Sequence, residues 1–134
     1  MFGAVEVAVV EWLAEKLAAV TVVNVFCDAL PPDFSHTSAS VVVRRVGGAV
    51  RDLILDDALL RVEVRGDDAA NLAALVRELF LSLDGSVEVI GGATGQIWLA
   101  GTCGEDRALV ADPDRLAPGV LMWAGAYRLT VVGD

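Results

Sequence analysis

One stretch in the middle of the chain decides its fold: SVVVRRVGG at residues 40–48, LRVEVR at 60–65 and GDDAANLAALVRELFLSL at 66–83. The first run is rich in β-branched residues and predicts a strand. The second alternates apolar and charged residues, which predicts a strand with one buried and one wet face. The third places apolar residues at helical spacing after Asp67 and Asp68, either of which can cap a helix. The order strand, turn, strand, helix indicates a small α+β domain.

The rest of the chain predicts one more helix and several strands. A helical stripe runs from Phe2 to Leu17, and the β-branched residues 20–26 that follow predict a strand. Residues 87–90 and 96–99 flank a glycine-rich turn and predict a hairpin. Residues 121–132 predict a closing strand whose buried face carries Leu121, Trp123, Tyr127, Leu129 and Val131.

Glycine and proline mark the interruptions between these elements. Pro31-Pro32 opens a loop, and Gly47-Gly48 is expected to begin a connection. Residues 49–57 are ambiguous, since they can extend a hairpin as a long arm or form a loop with Leu53 and Leu55 tucked in. Gly125, inside the closing strand, indicates a bulge or close packing against a neighbour.

Length and composition predict one domain spanning residues 1–134. With 55% hydrophobic residues the chain can bury a core without disulfides or metals. We expect an α+β fold with a mostly antiparallel or mixed sheet and two main helices packed on one face. No apolar run approaches the roughly 20 residues that cross a membrane. Glu6 and Glu11 near the N-terminus are unlike a secretory signal, so we expect folding in the cytoplasm.

The charge and the cysteines exclude several classes of function. A formal net charge of −9 argues against direct nucleic-acid binding, which requires clustered lysine and arginine. Cys27 and Cys103 lack the spacing of a metal motif, and we expect two free, buried or half-buried thiols.

No pattern in the sequence predicts catalysis. His36 lies beside Ser35 and Ser38, but nothing marks an orienting group or an oxyanion hole. Residues 91–95, GGATG, lack the lysine of a phosphate-binding loop and are followed by a strand. Three acidic groups are better explained as turns and caps, although a divalent ion bound weakly between subunits stays open: Asp56-Asp57, Asp67-Asp68 and Asp112-Pro113-Asp114. We therefore expect no enzyme, no cofactor and no metal site.

The order of the elements resembles a known family of assembly proteins. The segments that carry the resemblance are Trp12-Leu13 in the first helix, residues 20–26, Pro31-Pro32, residues 41–48, residues 62–77, Asp112-Pro113, Pro118 and Tyr127-Arg128-Leu129. In this order and spacing the chain resembles the tail terminator, or tail completion, proteins of siphophages and of related tailed particles such as gene-transfer agents. Residues 91–107 are longer and richer in glycine than the family pattern.

The resemblance implies a structural virion protein. Such proteins form a homo-oligomeric ring, usually a hexamer, at the head-proximal end of the tail tube. The ring stops tube polymerisation and joins the tail to the neck, so its partners are the tube protein and a neck or connector protein. Assembly takes place in the host cytoplasm, and DNA passes through the lumen without being bound. Six copies would carry a charge of about −54, part of which we expect to line the lumen and repel DNA.

Candidate interface residues follow from this reading. We expect Arg44 and Arg45 to pair with acids of an adjacent subunit, and residues 31–38 and 49–57 to become ordered on assembly. The strands at 40–46 and 121–132 carry apolar residues on both faces, which indicates either a partner surface or simply core. The candidates are Pro31, Pro32, Phe34, Arg44, Arg45, Gly47, Gly48, Asp56, Asp57, Asp112, Trp123 and Tyr127.

Two groups of alternatives remain. A head–tail connector, a stopper or a tail tube subunit would belong to the same particles. A small α+β ligand-binding or enzymatic domain would belong to a different class, and would need a pocket with converging polar groups.

Overall fold

Two helices and six strands follow one another along the part of the chain that the computed structural model describes, residues 5–31, 39–50, 55–111 and 122–132. The elements are α1 Val5–Ala18, β1 Asn24–Cys27, β2 Ser40–Val50, β3 Leu55–Arg65, α2 Ala69–Leu81, β4 Val89–Gly91, β5 Gln96–Ala111 and β6 Met122–Val132.

The six strands form one mixed sheet that curls into a half-barrel. Their spatial order is β1-β2-β3-β6-β5-β4. β1 runs parallel to β2, and every other neighbouring pair is antiparallel. The expectation of an α+β fold with a mixed, mostly antiparallel sheet is confirmed.

The core is built from the periodic residues of the sequence. In β3, Leu60, Val62 and Val64 are completely buried, as their alternation predicts. Both helices contribute buried side chains to one core cluster that also includes residues of β2, β3, β5 and β6. The ring of Phe80 stacks on Tyr127 with centroids 4.6 Å apart, and its other neighbour is the edge of Trp12 at 5.8 Å.

The first strand begins later than its composition predicts. The backbone N–H groups of Val20 and Thr21 both donate to the carbonyl of Leu17, so the chain continues as a turn after α1. Val22 is 92% exposed. Only Asn24–Cys27 pairs with β2, because local hydrogen bonding at the helix end takes precedence over the β-propensity of residues 20–23.

The prediction that Gly47-Gly48 begins a connection is wrong. Both glycines lie inside β2, which continues to Val50 after a register shift between Arg45 and Gly47. Gly48 has φ +87°, and a Cβ there would collide with the backbone of Asp57, so the strand pair needs glycine. β3 starts at Leu55, and Ala49 and Val50 pair with Asp57 and Asp56. The described residues between 49 and 57 therefore extend the hairpin as an arm. Leu53 lies outside the described residues.

The second helix forms where it is predicted, but it ends at Leu81 rather than at Leu83, and its N-cap makes no capping bond. Asp68 occupies the N-cap position, but its carboxylate makes no capping bond to the backbone and accepts from the side chain of Asn71 at 2.8 Å. After the helix, the side chain of Asp84 accepts a hydrogen bond from the backbone N–H of Cys103 in β5. This bond ties the end of α2 to the sheet. Gly85, past the end of the helix, has the positive φ of 86° expected there.

Candidate subunit interface

Arg45 and Asp56 form a forked ion pair inside one chain. Antiparallel pairing of β2 with β3 brings them together, and the two guanidinium Nη atoms donate to the two carboxylate oxygens at 2.7 and 2.6 Å. The side chain of Asp56 is 2% exposed and that of Arg45 29%. The hydrogen bonds to Asp56 raise the pKa of Arg45 further above its ordinary value. This pairing ties the hairpin together, so the fork of Arg45 is already engaged within its own chain.

Three arginines surround one glutamate on the side of the sheet that the alternation of β3 leaves outside the core. Arg61 Nε donates to Glu63 Oε2 at 3.0 Å, and Arg65 Nη2 donates to Oε1 at 3.1 Å. Arg44 of β2 approaches the same carboxylate at 3.7 Å. We call Arg44, Arg61, Arg65 and Glu63 the arginine patch.

The arginine patch has more donors than its single carboxylate can accept. Burial raises the pKa of Glu63, but the hydrogen bond from Arg61 and the three positive charges outweigh it and leave this pKa below its usual value. A guanidinium carries five N–H donors and a carboxylate roughly four acceptor positions. The Nε of Arg65 is buried and has no hydrogen-bond partner among the described residues. The patch is therefore net positive and suited to further acidic groups.

A second surface, near the opposite edge of the sheet, is apolar. Val87 is 72% exposed, Val89 42% and Trp98 54%. Val89 and Trp98 are direct cross-strand partners in β4 and β5, whereas Glu88, between the two valines, lies beside Glu15 and Lys16 of α1 on the other face. We call Val87, Val89 and Trp98 the β4 patch. The sequence alone does not predict this patch, because the run Ile97-Trp98-Leu99 is apolar throughout and does not show which face of the strand is buried.

The structure separates the remaining candidate residues. Asp57 accepts a hydrogen bond from the hydroxyl of Thr130 at 2.6 Å. Trp123 is half-buried against the core. Tyr127 is 0% exposed, so its side chain cannot form part of a surface in this chain. Pro31 is exposed. Pro32, Phe34, His36 and Asp112 lie outside the described residues.

Among the described residues, no three histidine, cysteine, aspartate or glutamate side chains cluster as metal ligands. Neither described helix is long and apolar enough to cross a membrane. Both cysteines are free thiols, Cys103 buried and Cys27 half-buried, as predicted. Burial raises the pKa of each thiol to about 11, so neither is poised to act as a nucleophile.

One cavity of about 140 Å³ lies where the start of α2 meets the turn after α1. Sites for small organic ligands usually enclose ~300–1,000 Å³, so this cavity is small for such a ligand. Its lining residues are Thr21, Ala39, Asp68, Asn71, Leu72 and Leu75.

No protein-family model matches the chain, and no curated protein matches it either.

Proposed function

We propose that this chain is a structural protein of a tailed particle that forms a ring at the head-proximal end of the tail tube. The proposal rests on the order and spacing of segments that resemble tail terminator proteins across nearly the whole sequence. An α+β domain with one mixed sheet is compatible with that resemblance. In this role the ring makes and breaks no covalent bond, and works by binding the tube with one face and the neck with the other.

The distribution of exposed groups supports an assembly role. The arginine patch and the β4 patch lie on opposite halves of the sheet, and either could contact another protein. We also infer that both helices cover the same face of the sheet, because their buried residues share one core cluster. The opposite face, which carries the arginine patch, would then be left for contacts between subunits or with the tube.

Imaging the neck of the particles that contain this chain tests the proposal. A cryo-EM reconstruction should show a single ring of the chain between tube and neck. Copies stacked along the tube would make it a tube subunit, and a position on the head side of the neck would make it a connector or stopper. Absence from every particle would overturn the proposal.

A ligand-binding domain is the second candidate, because of the cavity beside α2. It predicts that a small molecule raises the melting temperature in a thermal-shift screen, and that Leu75→Trp, which would fill the cavity, abolishes the shift. A ring protein should respond to its protein partners instead.

A further inference from the structure

The arginine patch and the β4 patch both reach an open edge of the sheet. β1 pairs with β2 only along Ser40–Val43, so Arg44 is the first residue of β2 beyond that cover. At the other end of the strand order, β4 pairs with β5 on one side, and no described strand pairs with its other side. The two patches therefore flank opposite edges of one sheet.

The two patches also lie on the same face of the sheet. Arg44 is paired with Arg61, and Arg61 with Ala126 of β6. Val132 of β6 is paired with Trp98, and Trp98 with Val89. Directly paired residues share a face, and Ala126 and Val132 are six residues apart on a strand whose register with β3 is unbroken. Each copy therefore presents both patches on the same face of its sheet, one near each edge.

The two patches offer complementary groups. The arginine patch carries a formal +2, and since the whole chain carries −9, the remaining residues carry −11. The β4 patch presents an exposed indole flanked by valines, and the flat guanidinium of an arginine stacks well on an indole face. Beside Arg44, Val46 is 50% exposed and offers an apolar surface of its own. A tryptophan with an apolar surround and an arginine opposite is the typical centre of a protein interface.

From this complementarity we propose that the β4 patch of one copy binds the arginine patch of the next copy. The partner is thus a second copy of this chain rather than a nucleic acid, since phosphates approaching the arginine patch would meet the field of the −11 that surrounds it. Because the two surfaces differ, the contact is head-to-tail, and repetition of it closes into a ring or continues as a filament. The inference deepens the proposed ring function and rests on it.

A matched pair of valine substitutions tests the contact. Val89 in the β4 patch and Val20 in the turn after α1 are 42% and 66% exposed, and Val20 lies outside both patches. Val89→Lys places a positive charge against the arginine patch and should weaken self-association ~30-fold or more, as the loss of a central contact does. Val20→Lys adds the same charge elsewhere and should leave self-association unchanged. Native mass spectrometry and analytical ultracentrifugation of the full chain, up to millimolar concentration, measure both.

Mixing two variants tests the direction of the contact. Arg44→Glu damages the arginine patch but leaves the β4 patch intact, and Val89→Lys does the reverse. Each variant alone should stay monomeric, whereas their mixture should form heterodimers that cannot grow further. Circular dichroism should show both variants folded, as expected for substitutions at exposed positions.

The outcomes separate this inference from the proposed function. If Val89→Lys and Arg44→Glu keep the wild-type oligomeric mass, or if the wild-type chain stays monomeric throughout, the inference is overturned, and a ring seen at the tail would still uphold the function. If the two variants lose the oligomer and their mixture forms heterodimers, the contact holds even where the chain is found away from any tail.

Discussion

Glu63 holds together three arginines that would otherwise repel one another. Its pKa lies below the usual value in the folded protein, so its contribution to stability is present above the unfolded pKa and is lost as the pH falls through the folded pKa. We expect Glu63→Gln to lower the free energy of unfolding by about 2 kcal/mol at pH 7. At pH 3, below the unfolded pKa of glutamate, the difference from wild type should shrink, because the unfolded wild-type carboxylate is then protonated and keeping it ionised in the folded state costs free energy. Urea denaturation at both pH values measures this, with the exposed Glu78→Gln on α2 as control; an unchanged difference at pH 3 would show that charge is not the cause.

Tyr127 presents the opposite case, a polar group without a partner. Its ring stacks on Phe80, but its hydroxyl is buried and makes no hydrogen bond to any residue that the structure describes, and burial raises its pKa to about 12. Tyr127→Phe keeps the stacked ring and removes the unsatisfied hydroxyl, so it should stabilise the fold by about 1 kcal/mol. Thermal and urea denaturation measure the change. A loss of stability would mean that a bound water satisfies the hydroxyl.

At the scale of elements, the closing strand is held against β5 at one point of very close approach. A Cβ at Gly125 would lie 2.8 Å from the carbonyl oxygen of Arg107 and 2.9 Å from the backbone nitrogen of Leu109. The register of β6 with β3 is unbroken, but the register with β5 shifts between Arg107 and Val110, opposite Gly125, so the glycine both faces an irregularity of β5 and packs closely against it. Gly125→Ala should therefore destabilise the fold by about 1–3 kcal/mol, because the backbone must shift. Gly104 of β5 is a matched control, because a Cβ there would have open space around it. Gly104→Ala should be neutral or slightly stabilising. If urea denaturation gave the same loss of stability for both variants, the close approach at Gly125 would not be the cause.

Periodicity allowed the elements to be predicted wherever one side of the element faces the core. The alternation in β3 is compatible only with a strand and the apolar stripe of α2 only with a helix. Both elements and their buried faces could therefore be predicted from the residues. The start of β1 and the course of Gly47-Gly48 depend on hydrogen bonds to Leu17 and on the partner strand β3, which the local sequence does not contain. The same holds for the candidate interface: Arg44 was recognisable as a charged residue on a strand, but its convergence with Arg61 and Arg65 on Glu63 requires the register. The exposure of Trp98 requires knowing that β4 is an edge strand.

For the whole molecule, the uneven distribution of charge leads to a last prediction. Phosphates attracted by three arginines must also approach the −11 carried by the remaining residues, so the long-range field opposes nucleic acid even where the local patch is positive. Purified chain should therefore leave duplex DNA unshifted in a gel even at ~50 mM salt, where phosphate contacts are strong. Weakening the long-range field while keeping the patch, by Asp67→Lys, Asp68→Lys and Glu78→Lys at exposed positions of the α2 region, should bring weak, salt-sensitive binding. If the wild-type chain binds DNA and Arg44→Glu abolishes that binding, the arginine patch recognises phosphate. The β4 patch would then have to bind a surface other than the arginine patch.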